Sequence, residues 1–221
     1  MSWRDIFYPG NPERREMLIR KNQELQDLMK NNFRATNKLI ETLKKHLQLS
    51  FSPIALNEKA TVQENCDIII GCIHEIQAEV EKIGKKLKEK LDPTLYEKLK
   101  DMNLSVHDLT QVARHVSIAL GTVGMASSLV VSWLITSGRI LTNLKLTFVR
   151  IATGLAAGVA LGVVFMGVDM IVQAILGSIE RDQLEKSLKE YDEALEQFGL
   201  ASEKYQDSIT YVRVRIEMIE E

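Results

Sequence analysis

Cysteine is nearly absent: Cys66 and Cys72 are the only two in the chain. Six residues of helix turn by 600°, so the two thiols face different ways and cannot bridge within one straight helix. No paired-cysteine zinc spacing is present. Cys66 falls on an apolar stripe and is expected to be a buried, reduced thiol. Proline is as scarce, at four positions, and aromatic residues make up 6%. No Walker loop, G-x-S-x-G elbow or H-E-x-x-H pair occurs, so the common nucleotide, hydrolase and metalloprotease signatures are missing. The four histidines, His46, His74, His107 and His115, are dispersed without acidic or cysteine partners at ligand spacing. No catalytic residue, cofactor or metal site is expected, and the chain reads as a non-enzyme.

A surplus of charge of one sign is also lacking. The net charge is −2, which gives no basis for nucleic-acid binding. A basic run at Lys85, Lys86, Lys88 and Lys90 is diluted by Glu81 and Glu89 and reads as a solvated helix face. The opening MSWRDIFYPGNPERRE carries Arg4 and Asp5 and no apolar core, so no secretory signal is expected there.

What the chain does have is segregation. Val116 to Gly138 contains no charged residue, and neither does Ile151 to Val168, while the flanks are dense in Lys and Glu. About eighteen uncharged residues from Ile151 give roughly 27 Å of helix, near the thickness of a bilayer core. Gly154, Gly158 and Gly162 recur every four residues, a small face on which another helix can pack closely in lipid. In water those glycines would cost about 1 kcal/mol each against alanine. Asp169 then marks the membrane edge. Val116 to Gly138 is long enough to span but is diluted by Ser127, Ser128 and Thr136, and it is expected either to span or to cover the glycine face.

The remaining chain reads as helix. Asn11 and Pro12 suit a helix start, and the helix that follows runs to about Leu49. Its apolar positions include Leu18, Leu25, Met29, Ile40, Leu43 and Leu47, with Asn22, Asn32 and Thr36 interrupting the seam. Ser50 to Ala60 is a loop. Thr61-Val62-Gln63-Glu64 fits a capping box. Val62, Cys66, Ile69, Ile73, Ile76, Val80, Ile83 and Leu87 then alternate steps of four and three, a heptad seam. Asp92-Pro93 ends that helix. The last helix, about Glu180 to Ile219, restores the pattern with Leu184, Leu188, Tyr191, Leu195, Phe198, Ser202, Tyr205, Ile209, Val212 and Ile216. Gly199 beside this seam is expected to let a neighbour approach closely.

The organisation expected is an aromatic leader over 1–11, a helical arm over 12–104, an apolar hairpin over 105–179 and a C-terminal helix over 180–221. The fold expected is all-α: an antiparallel bundle of long coiled-coil-like helices with one or two apolar membrane-type helices. Thr61–Leu91 and Glu180–Ile219 would pack by their stripes with Pro12–Leu49 alongside.

Several stretches, FYPGNPERRE, ATNKLIETL, ENCDIIIGCIHEIQAEVEK, KLDPTLYEKLKD, DMIVQAILGSIE and ASEKYQDSIT, resemble the single-pass membrane and coiled-coil domain-containing proteins. The resemblance covers both arms and the end of the glycine-rich stretch. It implies a single span at Ile151 to about Ile171 and brings no catalytic residues. The functional expectation is an integral membrane protein, intracellular or at the plasma membrane. Its partners would be the lipid bilayer and either a second copy or another coiled-coil protein. The alternatives are a soluble bundle that shelters an apolar hairpin and inserts it into membranes, and a soluble coiled-coil scaffold.

Overall fold

A computed structural model describes residues 11–47, 49–90, 93–100, 142, 145 and 181–218. Four helices account for most of them: α1 over Asn11–Leu47, α2 over Val62–Lys90, α3 over Pro93–Lys100 and α4 over Arg181–Met218. No strand occurs among the described residues, so the all-α expectation holds for them. Gly154, Gly158, Gly162, Asp169 and the whole of Val116–Gly138 lie outside the described residues.

Glu13 sits in the first turn of α1 and Lys44, Lys45 and His46 in its last, charges that oppose the helix dipole at each end. The capping box closes as expected at α2. Glu64 N–H donates to Thr61 Oγ1 at 3.2 Å, and the Thr61 N–H donates back to Glu64 Oε2 at 2.7 Å. α2 stops at Lys90, and Pro93 opens α3, because proline can begin a helix but cannot continue one.

The described residues fall into two compact units. The first draws on Met1–Arg34, Ala55–Ile69 and Thr147–Tyr205, and the second on Ala35–Ile54, Ile70–Leu146 and Gln206–Glu221. In the first unit Leu25, Met29 and Phe33 of α1, Val62, Cys66 and Ile69 of α2, and Leu195, Phe198 and Tyr205 of α4 are buried. The core of the second holds Leu39, Ile40 and Leu43, then Ile73, Ile76 and Val80, then Ile209, Val212 and Ile216. The heptad stripes of α2 and α4 are therefore the buried faces. Each such side chain stabilises the fold by about 1.5–3 kcal/mol through removal from water. The side chains of Ile83, Leu184, Leu188 and Tyr191 lie outside those described.

Helix direction differs from the expectation. Within the first unit Lys21 pairs with Asp192, and Asn32 hydrogen-bonds Ser202, at sequence separations of 171 and 170. Both numbers rise together, so α1 and α4 run parallel. For α1 and α4 in the first unit the antiparallel arrangement is therefore corrected. The physical reason is the connection after α1. It is not a tight hairpin but an extended segment over 49–61, which at about 3.3 Å per residue can travel back along a helix that rises only about 1.5 Å per residue. Its Ile54 is held by Asn37 and its Glu58 pairs with Lys30. Glu58, four residues before α2 begins, thus lies beside the middle of α1 rather than beyond its C-terminal end.

Gly199 is a second correction. A Cβ placed there would meet nothing nearer than Leu28 Cδ1 at 3.9 Å, an ordinary contact. Close approach is therefore not what this glycine supplies.

The parallel register has a direct chemical check. A carbodiimide joins an amine to a carboxylate only when the two touch. Treatment of the intact chain should couple Lys21 to Asp192, read as a crosslinked peptide by mass spectrometry. Coupling of Lys21 to the C-terminal end of α4 instead would restore the antiparallel arrangement.

Candidate functional site

Among the described residues no group of three or more His, Cys, Asp or Glu side chains could hold a metal ion. The distinctive chemistry lies in buried polar groups placed within the helix seams and at the loop.

In α1 the polar residues are part of the seam rather than gaps in it. Asn22, Leu25, Met29, Asn32, Thr36, Leu39, Leu43 and His46 are all buried, and they step by three and four without a break. In the first unit the Asn32 amide donates to Ser202 Oγ at 2.9 Å, with both residues fully buried. A neutral buried hydrogen bond contributes only about 1 kcal/mol net, yet leaving one partner alone costs about 1–3 kcal/mol. A slip by one helical step would strand both groups against apolar neighbours, so the pair fixes register. Asn22 is buried with neither side-chain atom hydrogen-bonded, which makes it a local cost in the same seam. In the second unit Arg213 Nε donates to Thr42 Oγ1 at 3.2 Å, while that hydroxyl donates to the Lys38 carbonyl at 2.9 Å.

The loop is held by two amide clamps. In the second unit the Asn37 side chain donates to the Ile54 carbonyl at 2.8 Å and accepts from the Ile54 N–H at 2.9 Å. In the first unit Asn65 does the same to Asn57, with both bonds at 2.9 Å. Each carboxamide completes both backbone groups of one loop residue, as a neighbouring strand would. Only Asn or Gln carries a donor and an acceptor at that spacing; aspartate is acceptor-only when ionised. Sequence reasoning missed both clamps. The available signal was an Asn beside the seam of each helix that flanks the loop.

Two contacts tie residues 142 and 145 to α2 in the second unit. Gln77 Nε2 donates to Thr142 Oγ1 at 3.1 Å. The Lys145 amine lies 3.1 Å from His74 Nδ1, and since an ammonium only donates, that nitrogen must be the acceptor. α2 numbers fall as the others rise, so this turn runs against α2.

Cys66 is buried as the stripe predicts, and Cys72, which lies off the stripe, is buried as well. Both are free and buried. Burial, with a smaller contribution from Asp67, pushes the Cys66 thiol from 9.0 up to about 12. Burial and then Glu75 push Cys72 up to about 11. Both are thiols at neutral pH and poor nucleophiles. At Glu64 the Thr61 backbone N–H, and then its hydroxyl, hold the carboxyl below its ordinary range.

Two measurements check these features. Asn65→Asp should lower stability by about 1–3 kcal/mol at neutral pH, because the Asn57 carbonyl loses one of its two donors and meets a carboxylate; an unchanged denaturation midpoint would remove the clamp. For the thiols, the unfolded chain ionises near pH 9 and the folded chain only near 11 to 12, so the unfolded state loses protons first. Stability should hold below about pH 9 and decline as pH rises towards 11 and 12. The decline between pH 8 and pH 10.5 should be smaller in a Cys66→Ala, Cys72→Ala chain than in the parent.

No solved structure matches the chain. Residues 14–153 match the model of a family described only as a protein of unknown function. That match takes in α1, α2, α3 and the first apolar stretch, well over half of the sequence, and on it the chain belongs to the DUF4533 family of proteins of unknown function.

Proposed function

We propose that this chain is a non-enzymatic, membrane-attached protein whose coiled-coil helices form a polar bundle at the bilayer surface. The observation that carries the reading is the charge-free stretch from Ile151 to Val168 with Gly154, Gly158 and Gly162 on one face, set between arms that are otherwise rich in charge. No helix among the described residues is long and apolar enough to cross a membrane; the apolar stretches lie outside those residues. The arms therefore suit water and the stretches between them suit lipid.

The arms also limit how partners can bind. The stripes on α1, α2 and α4 are consumed within the chain, with Phe198, Tyr205, Ile73 and Ile76 at 1% exposure or less. Self-association or partner binding must then use outward faces. On α4 these carry Leu200 in the first unit and Tyr211 and Val214 in the second, all exposed. The resemblance to the single-pass membrane and coiled-coil domain-containing proteins supports the same class of function.

The test is extraction of membranes with alkaline carbonate. An embedded chain stays in the pellet. Release into the supernatant would end the membrane-embedded reading. Permeabilisation of liposomes by the released chain would then favour a bundle that shelters its hairpin until insertion.

A further inference from the structure

Most serine and threonine hydroxyls among the described residues sit on helices, whose backbone cannot lie extended across a kinase cleft. The part of the second unit that follows α1 is different. From Leu49 to Ile54 it is neither helix nor turn. Phe51 and Ile54 are half-buried, while Ser52 and Pro53 between them are exposed. Among the described residues no backbone–backbone hydrogen bond involves Ser52. Ile54 is held by Asn37 through both of its backbone groups. The segment is thus anchored just after the Ser52-Pro53 pair and open at the pair itself.

Of the four prolines in the chain, Pro53 alone follows a serine or threonine; the others follow Tyr8, Asn11 and Asp92. A proline in that position does two things. Its ring drives the preceding residue into extended backbone, the conformation in which a substrate lies across a kinase cleft. It also brings no N–H, so a cleft that offers an apolar wall and no acceptor at that point selects proline over residues that would leave an N–H unpaired. Ser50, in the same segment, is followed by Phe51 and lacks both properties.

We propose that Ser52 is a phosphorylation site for a proline-directed protein kinase, with the Asn37 clamp as its gate. The co-substrate is a nucleoside triphosphate with magnesium. The Ser52 hydroxyl oxygen bonds to the γ-phosphorus, and the bond from that phosphorus to the β–γ bridging oxygen breaks. The nucleoside diphosphate leaves with the electron pair, and the hydroxyl proton passes to a carboxylate of the kinase. The product places a charge of about −1.5 to −2 on an exposed loop at neutral pH. A kinase cleft takes residues on both sides of the acceptor, so Ile54 leaves Asn37 before transfer. The two bonds of the clamp slow the reaction by about tenfold. Membrane attachment is not required for any of these steps.

The test uses the full chain, a mitogen-activated protein kinase and ATP labelled on its γ-phosphate. Initial rates are compared for the parent, Pro53→Ala and Asn37→Ala chains, at a temperature where circular dichroism gives all three the same helix content. The modified residue is located by mass spectrometry, with Ser52→Ala as the blank. The expected result is phosphate on Ser52 of the parent, a rate several-fold lower in Pro53→Ala, and a rate about tenfold higher in Asn37→Ala. Absence of phosphate from Ser52 in both the parent and the Asn37→Ala chain would overturn the proposal. So would a Pro53→Ala chain modified as fast as the parent, or an Asn37→Ala chain modified no faster.

Discussion

The hydrogen bond between Asn32 and Ser202 is modest in energy and large in consequence. It joins two fully buried polar side chains 170 residues apart. The apolar parts of the α1 and α4 stripes recur every seven residues, and a slide by one heptad would still bury apolar side chains against one another. The amide–hydroxyl pair is what distinguishes the true alignment from the shifted ones. Once it is set, Lys21 reaches Asp192 and Gly199 lies beside Leu28. The ion pair adds little by itself, since Asp192 is more than half exposed.

Membership in a family without assigned function leaves the physical layout as the guide to what this molecule does. That layout concentrates polar chemistry in places where it positions backbone and helices. The two asparagine clamps complete backbone groups that an extended loop would otherwise leave to water. The two cysteines are kept as neutral, buried filler, Cys66 on the α2 stripe and Cys72 beside it.

Much of the helical content was legible because its causes are local. The steps of three and four from Val62 to Val80 and from Leu195 to Ile216 mark buried faces, and the Thr61–Glu64 box marks a helix start. The seam of α1 was half legible: Asn22, Asn32 and Thr36 sit at the right spacing, but their polarity reads as interruption until a partner such as Ser202 is known. Direction was not legible. Periodicity is the same for parallel and antiparallel pairs, and a loop of this length permits either. The contacts that decide it, Lys21 to Asp192 and Asn32 to Ser202, join residues about 170 apart and leave no mark on the local pattern of either helix. The glycine face and Asp169 fall outside the described residues and stay readings of the sequence.

The order of assembly follows from those separations. The clamps join residues 17 and 8 apart, so α1, the loop and the start of α2 can associate soon after they leave the ribosome. Ser202 is made 170 residues after its partner. At about 5–20 residues per second, α1 waits about 10–30 s for α4. Throughout that interval the face carrying Leu25, Met29 and Phe33 lacks its final cover, and both apolar stretches emerge before α4 does. The nascent chain therefore carries an uncovered apolar face at a stage when the bundle that later buries it does not yet exist.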